Sequence, residues 1–251
     1  MSHLVDIMSK RYNVRHFSDQ VPDKKIVNDI LKKAHALTPH KNNLYYYRIN
    51  VWGPEHSEEK RQVAISSVCS MDYRQYKNNP EKMLELEDIY DEWISPENKQ
   101  KGYPKIKDIT FNSQTLAPYL LVYTHNPYFR TSSQEQSKFA KSGKMDRIFY
   151  NKKTNSPEDI EWVIQASMHG ITTAYLCAEY NLNASFCRCF FNSRYLPNNI
   201  LLKQNNAKRN IAFLLGIGYV SEDEKLQAEQ NKQTLHNNKY KPLYEEIVKW
   251  K

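Results

Sequence analysis

Glycine is scarce: 6 residues in 251, none in a G-x-G-x-x-G or G-x-x-x-x-G-K-[ST] spacing. Those loops bring backbone amides against phosphates, so dinucleotide or triphosphate binding by such devices is not supported. Any phosphate must be held mainly by side chains. Cysteine is scarce too, and the 4 present (Cys69, Cys177, Cys187, Cys189) form no C-x-x-C pair. Cys187-Arg188-Cys189 has no matching Cys/His pair at ligand spacing, which argues against a metal site and against a disulfide framework. No run approaches the ~18 apolar residues of a membrane span. Met1-Ser2-His3-Leu4-Val5-Asp6 also lacks the basic-then-apolar order of a secretory leader. The expectation is a cytoplasmic, reduced protein with no membrane association.

What is present is positive charge. Lys and Arg number 36 against 28 Asp and Glu, a formal charge of +8, which favours anionic partners. The cations are spread along the chain instead of forming one basic arm, so specific nucleic-acid binding is the weaker reading. Two places concentrate them. Arg11-Tyr12-Asn13-Val14-Arg15-His16-Phe17-Ser18 places two guanidinium forks four residues apart with an amide between, and Lys239-Tyr240-Lys241-Pro242 supplies a second cationic pair. Either could be a solvated basic surface if taken alone.

Between these clusters helices alternate with strands. Leu4, Val5, Ile7 and Met8 suggest a short opening helix, and Asp23 is a good N-cap for a second helix with Ile26, Ile30, Leu31, Ala34 and Leu37 on one stripe. Residues 45–52 read as a strand, 58–70 as a helix with Val63, Ala64, Ile65, Val68 and Met71 near its inner face, and 117–124 as an inner strand. Polar insertions fall at about 72–107 and 126–155. The first carries a helical Met83-Leu84-x-Leu86-x-x-Ile89-Tyr90-x-x-Trp93 pattern, and the second is an irregular excursion outside the core. From Ser156-Pro157 a long helix runs to about Tyr180, apolar round most of its circumference and therefore buried in a domain centre or a subunit interface. Residues 184–191 and 210–219 read as further strands, and no internal repeat occurs. The class is α+β or α/β, one domain of 1–251 with a small central sheet.

On these residues, in this order, the chain resembles the flavin-dependent nitroreductase family over most of its length apart from the insertions. Arg11-Tyr12-Asn13-Val14-Arg15-His16-Phe17 is similar to the family's Arg-x-Ser-x-Arg or Lys followed by an aromatic. Thr38-Pro39-His40-Lys41-Asn42-Asn43-Leu44-Tyr45-Tyr46-Tyr47 stands where the family carries Ala-Pro-Ser-x-x-Asn-x-Gln-Pro-Trp. The long helix, Ala178-Glu179-Tyr180-Asn181-Leu182, Gly216-Ile217-Gly218-Tyr219 and the late Lys-x-Lys-Pro-Leu follow in the expected sequence.

The resemblance implies a three-layer α/β/α fold of α+β class with a mixed or antiparallel sheet, FMN as cofactor, and a homodimer with the long helix at its centre. It implies that Arg11, Arg15, Lys239 and Lys241 hold the phosphate, that Tyr12 and Asn13 help position it, and that Asn43 approaches the flavin ring. Tyr45 takes the place of the family's Gln, and Cys189-Phe190 lies where backbone amides approach the flavin N5 edge. The implied activity is ping-pong hydride transfer from NAD(P)H to a small nitro, quinone or other conjugated acceptor. The cofactor carries that chemistry, so no side-chain acid or base is required; His40, Lys41 and Tyr45 are candidates for modulating it. Departures are the Asn13, His40 and Tyr45 replacements, Asn183 where the family has Gly, and the lack of a Gly-rich turn after it. They motivate an alternative: a divergent member, flavin-binding or flavin-free, that works by sequestration or interaction.

Overall fold

The computed structural model describes residues 6–8, 10–11, 14–39, 47–66, 79–125, 157–187, 211–221, 224–227 and 230. Its elements are α1 (Lys24–Leu37), β1 (Tyr47–Trp52), α2 (Ser57–Ser66), α3 (Pro80–Trp93), α4 (Pro96–Gln100), β2 (Tyr119–His125), α5 (Pro157–Glu179), β3 (Asn183–Cys187) and β4 (Ile211–Gly218). Short 3-10 turns occupy Pro54–His56 and Ser113–Leu116.

The four strands form one antiparallel sheet in the order β1-β2-β4-β3, which settles the mixed-or-antiparallel alternative for the described residues. β2 and β4 are inner strands, and their side chains are buried on both faces, which is why they read as nearly continuous apolar runs. Leu121 and Tyr123 face the core shared with α1 and α5, while Leu120 and Val122 face Trp52, Val63 and Leu214 on the opposite side. A bulge interrupts the alternation: Tyr123 pairs with Phe213 but Thr124 with Ile211. Ala212 and Phe213 therefore both join the α1/α5 core, and Ile211 turns to the other face.

Local chemistry sets the helix ends. Asp23 accepts from the Lys25 N–H at 2.7 Å and caps α1, whose buried residues are Val27, Ile30 and Ala34. The expected stripe needs correction at its end, because Leu37 is 65% exposed. The buried place there is taken by Thr38, whose hydroxyl donates to the Ala34 carbonyl at 2.7 Å. α5 ends in a Schellman arrangement: Leu182 N–H donates to the Cys177 carbonyl and Asn181 N–H to that of Ala178. Asn181 takes the left-handed conformation at φ 57°, so the turn does not depend on a glycine at position 183.

α5 presents Trp162, Ala166, His169, Gly170, Thr173 and Cys177 inward. A Cβ at Gly170 would lie 2.8 Å from Phe213 Cζ and 2.9 Å from Phe186 Cε1, so the small residues of this helix admit the aromatic rings of the sheet. Burial is one-sided, since Ile164 and Ser167 are exposed. Beneath α5 the Tyr123 hydroxyl and His169 Nδ1 are hydrogen-bonded at 3.0 Å.

The described part of the first insertion, 79–107, is the expected helix with loops. Asn79 caps α3 through the N–H groups of Glu81 and Lys82. Leu86, Ile89, Tyr90 and Trp93 pack with Ala64, Ile65 and Phe111 as a second core, whereas Leu84, included in the sequence pattern, is exposed. Arg61 of α2 donates to both carboxylate oxygens of Asp91 at 3.2 Å and joins the insertion to the main body. Val68, Met71 and the 126–155 excursion lie outside the described residues.

Candidate functional site

The basic stretch is pinned to the end of the sheet by its backbone. Val14 is fully buried, and its carbonyl accepts from Ser185 Oγ of β3 at 2.6 Å and from Gln114 Nε2 at 3.3 Å. Gln114 Nε2 also donates to Ser185 Oγ. The Arg15 carbonyl accepts from Ser113 Oγ at 2.8 Å, and the Ser18 N–H donates to the Tyr219 carbonyl just beyond β4 at 2.8 Å. Phe17 lies across the end of β4. A Cβ at Gly216 would come within 3.1 Å of its ring, and one at Gly218 within 2.9 Å of the ring and 2.6 Å of Pro118 Cδ. Those two glycines let the stretch approach the strand.

With the backbone so occupied, the cationic side chains are left for other work. The Arg11 Cζ stands 5.6 Å from the centroid of the Phe186 ring, a cation–π contact that orients the guanidinium. Ser185 and Phe186 are neighbours on β3 and point to opposite faces, so Val14 and Arg11 meet the sheet from opposite sides. Arg11 Nε is buried and has no hydrogen-bond partner among the described residues. A buried guanidinium donor without an acceptor is costly, and a ligand oxygen would relieve that cost. Arg15, four residues on, is exposed.

Two further segments close round this stretch. The His16 ring stacks on Tyr103 of the first insertion at 5.2 Å and 28°, and Lys99 pairs with Asp19. Burial holds the His16 imidazole below its ordinary pKa, Glu224 opposing and Arg15 reinforcing the depression. From the C-terminal side, Glu224 Oε1 accepts from the N–H groups of Arg15 at 2.8 Å and His16 at 3.2 Å. Behind the 3-10 turn that carries Ser113 and Gln114, buried Lys60 donates to the Ala117 and Pro118 carbonyls, each at 3.0 Å. Burial brings its pKa down to about 8.

Of the residues expected from sequence, Arg11 and Arg15 share this segment; Tyr12, Asn13, Asn43, Tyr45, Cys189, Phe190, Lys239 and Lys241 lie outside the described residues, as do His40 and Lys41. Sequence reasoning missed Glu224, Gln114 and Ser185. Only Glu224 left a signal: Ser221-Glu222-Asp223-Glu224 has the S-x-x-E spacing of a capping box. No group of three or more His, Cys, Asp or Glu suited to a metal occurs among the described residues. No helix among them is long and apolar enough to cross a membrane.

The arrangement suits an anion: one buried guanidinium donor lacks an acceptor among the described residues, and a second guanidinium lies four residues along the sequence. No family model matches the sequence, and no curated protein matches it. Solved structures do. An FMN- and NADPH-dependent nitroreductase from Sphigopyxis sp. strain HMH is 15% identical, with 100% of this chain and 99% of that one covered and a TM-score of 0.54. A nitroreductase family protein from Clostridium difficile 630 is 14% identical over 100% and 99% of the two chains, with a TM-score of 0.54. A nitroreductase with bound FMN from Bacteroides fragilis NCTC 9343 is 10% identical over 88% and 90%, with a TM-score of 0.52. At such identities the likeness is one of architecture: this chain has a divergent form of the nitroreductase-like fold.

Proposed function

We propose that the protein is an FMN-dependent oxidoreductase that passes hydride from NAD(P)H to a nitro, quinone or other conjugated small-molecule acceptor in two half-reactions. The observation that carries this reading is Arg11, a guanidinium oriented on Phe186 with a buried donor lacking an acceptor among the described residues, in a fold whose solved examples include proteins described as FMN-dependent or FMN-bound. When bound, FMN supplies the hydride chemistry.

The chain's own residues bind and orient. Arg11 and Arg15 take the phosphate, with Lys239 and Lys241 completing a clamp and Tyr12 and Asn13 beside it. The contact of Arg15 with Glu224 supports that clamp, because it brings a segment that lies before the Lys-x-Lys pair in sequence against the basic stretch. Asn43, Tyr45 and the backbone of Cys189 and Phe190 would hold the ring. Phe17 and Val14 exclude water from under the stretch, which keeps its hydrogen bonds strong.

A homodimer built on α5 would use the face that leaves Ile164 and Ser167 exposed. The buried free thiol of Cys177 supports a cytoplasmic setting. Anaerobic addition of NADH or NADPH to the purified yellow protein tests the reading. Bleaching, reversed by a quinone, is expected; a flavin that neither nucleotide bleaches favours the sequestration alternative.

A further inference from the structure

The S-x-x-E spacing at Ser221 to Glu224 ordinarily turns the glutamate back onto the N–H of its own capping serine. Here the first half of that arrangement forms, with the Glu224 N–H donating to Ser221 Oγ at 3.2 Å. The carboxylate points elsewhere. Its Oε1 accepts two consecutive backbone N–H groups, those of Arg15 and His16, more than two hundred positions away in sequence. Two neighbouring amides converging on one oxygen fix the backbone at both residues, and one of the two bears the exposed guanidinium.

Among the described residues, the other backbone hydrogen bonds to this stretch are made elsewhere along it or on the opposite side of the peptide. Ser185 and Gln114 hold the Val14 carbonyl, Ser113 holds the Arg15 carbonyl, and Tyr219 holds the Ser18 N–H. Among the described residues, the N–H groups of Arg15 and His16 are held by Glu224. Were an anion to bind these amides directly, Glu224 would compete with it. Were the amides purely structural, the carboxylate's negative charge beside a cationic site would weaken that site for no return.

We infer that Glu224 is a positioning residue: by accepting both amides it sets the backbone from which Arg11 and Arg15 reach an anion, and it couples that backbone to the C-terminal segment. The inference rests on the FMN reading above. Glu224 touches no reacting group, and its effect falls on ligand affinity through the shape of the stretch.

The test titrates FMN into flavin-free wild type, E224A, E224Q and S221A by quenching of flavin fluorescence, with amide hydrogen exchange at Arg15 and His16 read in parallel. E224A weakens FMN binding by about tenfold or more, the loss expected when hydrogen bonds to a charged acceptor go, and speeds exchange at both amides. E224Q keeps an oxygen for both amides and stays within about threefold of wild type. S221A, which removes the hydroxyl steadying Glu224, shows a smaller loss in the same direction and decides the matter if E224A does not fold. Wild-type affinity in both E224A and S221A overturns the inference. So does tighter binding in E224A, which would make the carboxylate a competitor. A wild type that binds no FMN overturns the cofactor reading and this inference with it.

Discussion

Glu224 Oε1 accepts the backbone N–H of Arg15 at 2.8 Å across 209 positions of sequence, which brings the C-terminal segment against the basic stretch near the N-terminus. The predictions below follow from how that stretch is held.

Arg11 is expected to matter through shape as much as charge. Arg11→Ala removes the orphaned donor and the contact with Phe186, and FMN affinity falls by about 10- to 100-fold, as for loss of a charge-assisted contact. Arg11→Lys keeps the charge but lacks a planar fork to lie on the ring, and restores only part of the loss. Titration of flavin-free variants measures both.

Gly218 is a packing requirement. A Cβ there would sit 2.6 Å from Pro118 Cδ and 2.9 Å from Phe17 Cδ1, so Gly218→Ala displaces the stretch or strains the strand, at a cost of about 1–3 kcal/mol. Thermal unfolding reads the cost. FMN titration of the same variant weakens too, because Phe17 is part of the stretch that carries Arg15.

Those two glycines show what the sequence made legible. The strand that ends in Gly216-Ile217-Gly218-Tyr219 was legible from its branched and apolar residues, as were the Asp23 cap, the inner strand read over Ala117 to Thr124 and the α3 pattern. Each depends on local chemistry or periodicity. Phe17 as the ring that needs those glycines was not legible, nor were Ser185 and Gln114 as holders of the Val14 carbonyl, because such contacts join residues 100 to 201 positions apart. Leu37 and Leu84 were misread for a related reason: periodicity marks an apolar face but not where its partner ends.

The buried pair beneath α5 sets a stability expectation. Tyr123→Phe removes the 3.0 Å hydrogen bond to His169 Nδ1 inside a closed core and costs about 1–2 kcal/mol in denaturant unfolding. Tyr123→Leu, which also gives up the stacking on Phe213 at 4.3 Å, costs more.

Lys60 gives a signature in pH. Its folded pKa of about 8 lies below the ordinary 10.5, so between those values the unfolded chain binds more protons than the folded one and stability rises with pH. Above pH ~10 buried Tyr90, Tyr103 and Tyr123, whose phenols are held up mainly by burial, reverse the trend, because there the folded chain retains more protons. The urea midpoint of the wild type is expected to gain on that of Lys60→Met from pH 8 towards 10, while burial of the Cys177 thiol pulls both down as its unfolded counterpart ionises.

The most direct measurement compares FMN with riboflavin, which has the same ring and ribityl chain but no phosphate, in titrations of the flavin-free protein at low and moderate salt. FMN is expected to bind at least about a hundredfold more tightly than riboflavin, as several charge-assisted contacts to one phosphate require, with the gap narrowing as salt rises. Equal affinity for the two flavins, or no binding of either, contradicts a phosphate site at Arg11 and Arg15.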